Sequence, residues 1–131
     1  MKVRCLANTG EGLLPLTVAN TADTAQVEYP LKIGEVHIVY AQGILCNVLH
    51  YLIIGTYENL PSWYPAELFE VVNSQVHLEW YYQFYNGEIL QALWGYHELI
   101  HVESHYEDLI NREDQAIRAF LKRKKEIDEF S

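Results

Sequence analysis

The feature that most constrains this chain is a single change of period. Up to Gly95 apolar residues recur at every second position, and from His97 onward they recur at helical spacing. A strand sends successive side chains to opposite faces, whereas a helix returns to one face every three or four residues. A chain that switches once, late in its length, does not build alternating strand–helix–strand units. It builds an α+β protein whose helices are segregated from an antiparallel sheet. With 131 residues, half of them hydrophobic, there is material for one domain with a real core. The expectation is a single domain over 1–131, with a β part at 1–96 and a helical hairpin at 97–131.

Within the β part, Val3, Cys5 and Ala7 alternate along a first strand. Residues 8–29, rich in Thr, Ala, Asn and Gly, read as a long loop with a short helical turn. Residues 34–42 alternate again, Gly43 reads as a tight turn, and residues 44–54 form a strand apolar on both faces, as a central strand is. A short strand, a Pro65-Ala66-Glu67-Leu68 turn and another short strand follow over 63–72. Residues 76–85 carry the clearest alternation. It places Trp80, Tyr82 and Phe84 with Val76 and Leu78 on a core face, and His77, Glu79, Tyr81, Gln83 and Tyr85 on the opposite face. In the helical part, Leu99, Val102, Tyr106, Leu109 and Ile110 share one side. Asn111 reads as the N-cap of a second helix, at 112–128, with Ile117, Phe120, Leu121 and Ile127 on its stripe.

Two segments carry a family resemblance. Leu31-Lys32-Ile33-Gly34-Glu35-Val36 is similar to the turn and strand that follow the long loop of SH3 domains. Trp63-Tyr64-Pro65-Ala66-Glu67-Leu68-Phe69-Glu70-Val71 resembles the end of that domain, a strand, a single helical turn and a last strand. The resemblance implies a small antiparallel SH3-like barrel over about residues 31–72, followed by an extra strand and the helical hairpin. It also implies a polyproline groove. Here Cys5-Leu6-Ala7-Asn8, His50-Tyr51 and Phe69 stand where the family has its groove tyrosines and tryptophan, so that activity is not carried over.

Charge narrows the partners. Nine Lys and Arg against eighteen Asp and Glu give a net charge of −9. Phosphate backbones and anionic lipid surfaces call for the opposite sign. The basic run Lys122-Arg123-Lys124-Lys125 is followed by Glu126, Asp128 and Glu129 and reads as a solvated helix end. The start of the chain turns polar by Asn8, and the longest apolar run, 44–54, falls short of the ~20 residues of a membrane span. The expectation is a cytoplasmic protein that binds neither nucleic acid nor membrane, with Cys5 and Cys46 as free thiols.

One motif points to chemistry. His97-Glu98-Leu99-Ile100-His101 matches the H-E-x-x-H helix, in which two histidines four apart chelate zinc and the glutamate is a general base. A catalytic zinc needs a third ligand. Ser104 and Glu107 stand where the longest form of the motif has glycine and a third histidine. Neither Glu113 nor Glu126 is singled out, and His105 lies about 12 Å along the axis from His97. Helical spacing also turns His97, His101, His105 and Asp108 away from the apolar side. The zinc hydrolase, with Glu98 as base and His97 and His101 as ligands, is therefore the alternative reading. The leading one is a non-enzymatic protein without cofactor that binds a basic protein partner, by analogy with acidic immunity proteins that neutralise toxins. Tyr81, Tyr85, Glu79 and His77 form its expected contact face, since aromatic residues dominate interface energies and acidic ones set the sign of the partner.

Overall fold

The computed structural model describes residues 1–21 and 26–131. The alternation of the first strand, β1 (Lys2–Cys5), buries Val3 and Cys5. The following segment holds a 3-10 turn at Gly10–Gly12 and a six-residue helix, α1 (Pro15–Asn20), started by Pro15 at its first position. Residues 22–25 of the expected loop lie outside the described residues. Then come β2 (Val36–Ile38), β3 (Ala41–Leu45), β4 (Val48–Ile53), β5 (Ser62–Pro65), a 3-10 turn at Ala66–Leu68 and β6 (Phe69–Asn73). The sheet is completed by β7 (Tyr81–Phe84) and β8 (Leu90–Gly95), and α2 (His97–His101), α3 (His105–Ile110) and α4 (Asp114–Phe130) close the chain.

The strands form two antiparallel sheets, one ordered β2-β1-β6 and the other β5-β4-β3-β8-β7. The chain changes sheet at Val39-Tyr40. Val39 donates its N–H to Met1 (3.0 Å) beside the small sheet, and the next residue, Tyr40, donates to Leu52 (2.9 Å) in the large one. Strand β4 divides two cores, because its successive residues face opposite ways. Tyr51 and Ile53 join Val3, Cys5, Leu68 and Phe69, whereas Leu52 joins Leu93, Leu99, Leu109 and Phe120 beneath the helices. Among the described residues no helix is long and apolar enough to cross a membrane.

The α+β class holds, with antiparallel sheets and C-terminal helices, but several expectations need correction. Among the described residues the expected barrel over about 31–72 does not close, since the strands divide between two open sheets and β3 pairs with β8 as well as β4. The tight turn is not at Gly43 but at Cys46-Asn47, both at positive φ (52° and 62°), the geometry of a two-residue hairpin loop. Gly43 lies inside β3, where a Cβ would come within 3.0 Å of Leu93 and 3.3 Å of Trp63. The segment Leu90–Gly95, unassigned from sequence, is a central strand. Residues 97–110 make two helices rather than one, and Val102 at the break and Ile110 at the end of α3 are both exposed. Asn111 ends α3 instead of starting α4. Arg112 follows at φ 60° and Glu113 precedes the first turn of α4, on which Leu121 is exposed.

Candidate functional site

Strand β7 ends the five-stranded sheet, pairing with β8 on one side and, among the described residues, with no strand on the other. Before it, residues 77–80 fold into a turn in which Trp80 donates its N–H to the His77 carbonyl (3.2 Å) and Glu79 donates to His77 Nδ1 (3.1 Å). The His77 ring lies against Phe130 at the end of α4, at 4.8 Å between centroids. The turn, the start of β7 and the two flanking helices thus enclose a cleft of about 200 Å³, lined by His77, Glu79, Trp80, Tyr81, His97 and Arg123 among others. Three of the four expected contact residues, His77, Glu79 and Tyr81, therefore meet at one place. Tyr85 does not. It is half-buried at the far end of the strand, where burial pushes its hydroxyl pKa up, and it lines a second cleft with Gln83, His101, Glu103 and Glu107.

The facing of β7 overturns an expectation. Tyr82 and Phe84, assigned to the core, are 53% and 64% exposed, more than Tyr81 at 45%. The register explains this. Tyr82 lies opposite Trp94, and Phe84, Ala92, Ile44 and Leu49 form one cross-strand row on the face away from the helices. The small sheet covers the other end of that face, where Tyr51 packs on Phe69 (6.1 Å). It leaves the β7 end open, an apolar and aromatic platform built from Tyr82, Phe84, Trp94, Ile44 and Leu49. Of the set expected inside, only Trp80 is partly buried, and it packs on the first core from the turn rather than from a strand.

Helix α2 carries the metal-like motif. His97 and His101 are exposed, 4.8 Å apart between ring centroids, and Tyr81 meets both edge-on at 5.9 and 4.9 Å. Glu98 points elsewhere. Its carboxylate accepts two hydrogen bonds from Arg123 of α4, from Nε (2.6 Å) and from Nη2 (2.9 Å), and Arg123 also reaches Glu126 (3.1 Å). Burial alone would raise the Glu98 pKa, but the hydrogen bonds and charge of Arg123 outweigh it and hold the carboxyl below its ordinary value. A carboxylate clamped in this way is a poor proton acceptor. Among the described residues no group of three His, Cys, Asp or Glu is placed to hold a metal ion. His105 also departs from the expected polar face. The break at 102–104 turns it inward, where it is buried and its Nε2 lies 2.7 Å from the Tyr96 hydroxyl. Burial lowers the pKa of its ring, with Glu98 and Asp108 partly opposing.

The exposed histidine pair gives a direct expectation. Replacing His97 and His101 together by Ala should change unfolding free energy by no more than about 0.5 kcal/mol, as surface substitutions do. Urea denaturation measures it. A loss of several kcal/mol would mean that the pair holds up the fold.

Sequence reasoning missed the Glu98–Arg123 clamp, the Tyr96–His105 pair and the hydrogen bond from Tyr40 to Asp128 (2.7 Å). These partners stand 25, 9 and 88 residues apart, beyond any local pattern. Trp94 and Ile44 could have been found, since β8 alternates Ala92 and Trp94 against Leu93 once it is read as a strand. In comparisons with known proteins the chain matches no family model, no curated protein and no solved structure.

Proposed function

We propose that this chain is a non-enzymatic binding protein for a basic protein partner, engaged through β7 and the cleft at its start. One observation carries the reading: the alternating apolar residues of β7 lie uncovered at a sheet edge set in an acidic field. From Ile33 to Asn111 there is no Lys or Arg, while Glu35, Glu58, Glu67, Glu70, Glu79, Glu88, Glu98, Glu103, Glu107 and Asp108 all fall in that stretch. Exposed contiguous apolar surface marks interaction sites, and uniform charge around it selects the sign of the partner. Arg123, the basic residue of α4 that lines the cleft at β7, is engaged by Glu98 and Glu126, and its neighbour Lys124 by Asp128 (2.6 Å). The type of protein this suggests is a small acidic neutraliser of a basic toxin, an analogy of character.

The finer reading of the β part as SH3-like draws support from the pairing order. The passage of the chain from β2 in one sheet to β3 in the other, a β3–β4 hairpin, and β5 running into β6 through a 3-10 turn follow the layout of that family. The zinc hydrolase reading finds no support in the Glu98–Arg123 clamp.

Proteins retained from native lysate by the chain, and lost by Glu79→Lys, should be basic. Their association rate should fall steeply between 0.1 and 1 M salt, where the Debye length shrinks from ~10 to ~3 Å. Tyr81→Ala should mainly speed dissociation. An acidic partner, or an association rate indifferent to salt, would overturn the proposal.

A further inference from the structure

The four sheet edges are not alike. The β5 edge is bracketed by Pro61 and Pro65, and Arg112 fills it by donating to the Pro61 carbonyl (2.6 Å) and to Ser62 Oγ (3.2 Å). Strand β2 is three residues long, and β6 carries Glu70 and pairs with β1 through a shift in register. Short strands, prolines, charges and bulges are the devices by which proteins keep edges from pairing. Strand β7, Tyr81-Tyr82-Gln83-Phe84, is also short, at four residues, but it carries neither proline nor charge and pairs with β8 without a register shift. Tyr85 donates its N–H across the pair to Gln91 (2.7 Å). By the alternation of an antiparallel ladder, the backbone groups of Tyr82 and Phe84 then point outward, away from β8.

We infer that β7 accepts an extended segment of the partner as a sixth strand, and that this segment alternates apolar with basic residues. The inference rests on the binding reading above. The two faces of β7 dictate the alternation. On one face an added strand runs beside Tyr82 and Phe84 and continues the apolar platform. On the other it runs beside Tyr81 and Gln83, between the cleft that holds Glu79 and the one that holds Glu103 and Glu107. Main-chain hydrogen bonds then supply affinity, and the alternating side chains supply selection. A second copy of this chain is disfavoured as the occupant, because self-pairing would bring together two edges flanked by Glu79 and Glu88 on molecules of charge −9.

The test uses the full chain and synthetic octapeptides with blocked ends. One alternates Lys and Val, so that registers two residues apart are equivalent. A block isomer has four Lys followed by four Val, and two further versions of the alternating peptide are N-methylated on all valines or on all lysines. At low salt the alternating peptide should bind about tenfold more tightly than the block isomer, and protect the amides of Tyr82 and Phe84 from exchange. One methylated version should lose binding and the other keep it, since only alternate residues of an added strand bond to β7. Loss with methylated valines means an antiparallel strand, and loss with methylated lysines a parallel one. If the block isomer binds equally well, or the two methylated versions behave alike, strand addition is wrong and the basic-partner reading stands. If neither lysine peptide binds, both fall. A concentration-dependent dimer that protects the same amides without peptide overturns the inference in favour of self-pairing.

Discussion

Phe120→Ala should destabilise the protein by about 3–5 kcal/mol, the range for truncating a well-packed aromatic core residue. Phe120 is fully buried on α4 and meets two tyrosines edge-on, Tyr40 at 5.4 Å and Tyr96 at 6.2 Å. Each tyrosine is itself tied down. The Tyr40 hydroxyl donates to Asp128 one helical stretch further along α4, and the Tyr96 hydroxyl is paired with His105. Truncation therefore opens a cavity where the sheet, α2 and α4 converge. The surroundings cannot collapse into it without breaking a buried hydrogen bond, which places the cost toward the upper part of the range. Leu121, the next residue, is the internal control. It is 46% exposed, and Leu121→Ala should cost less than about 1 kcal/mol. Urea unfolding of the two variants decides the matter. Similar losses for both would mean that α4 does not pack through the Phe120 side.

The contrast between Phe120 and Leu121 shows what the sequence pattern could and could not convey. Helical period put both on one stripe, and it was right about Phe120 and Ile127. A stripe drawn at 100° per residue is wider than the surface a single sheet can cover, so its edge residues stay in solvent. The same reasoning accounts for β7. Alternation correctly sorted Tyr82 and Phe84 to one face and Tyr81 to the other. It could not say which face the helices would cover, because that depends on strand order, and β7 turned out to be last. Elements fixed by local chemistry were legible: the buried alternation of β1, the two-sided apolar run of β4, and the turn from Pro65 into β6. The central strand β8 was not, since Leu90-Gln91-Ala92-Leu93-Trp94-Gly95 has too few polar residues to show a period.

Much the same division holds for the site. His77, Glu79 and Tyr81 were identified from local alternation, yet residues 77–79 reach the cleft through a turn rather than along a strand, and Tyr81 is the first residue of β7. The H-E-x-x-H match was legible as a pattern, but the partner of its glutamate was not. A motif specifies where side chains leave a helix. What lies opposite is set by tertiary packing, and opposite Glu98 lies the guanidinium of Arg123, which occupies the carboxylate that metal-assisted hydrolysis would need free.

Stability should fall on mild acidification, and His105 supplies the cause. Its ring is almost fully buried, with Nε2 2.7 Å from the Tyr96 hydroxyl. Burial pushes the Tyr96 hydroxyl pKa far up, so Tyr96 keeps its proton and pairs with His105 as a neutral ring. Protonation of the ring would place a charge in the core. Burial is the main cause of the lowered pKa of this ring, and the charges of Glu98 and Asp108 offset it only in part. The unfolded chain takes up the proton near pH 6.5, whereas the folded chain resists until lower pH. Above pH 6.5 neither state is protonated and the contribution to stability is intact. As pH falls below 6.5 the unfolded state gains the proton first, and stability is lost at up to about 1.4 kcal/mol per pH unit until the folded-state value is passed. Glu98 acts lower down, since its stabilisation is lost only as pH falls below its ordinary value of 4.5. Urea unfolding at pH 7.5 and 5.5 separates the two. Wild type should lose up to about 1.4 kcal/mol more over that interval than His105→Gln, which offers Tyr96 an amide oxygen with no proton to gain. Equal losses in both proteins would show that the acid sensitivity arises elsewhere and that His105 titrates as freely when folded as when unfolded.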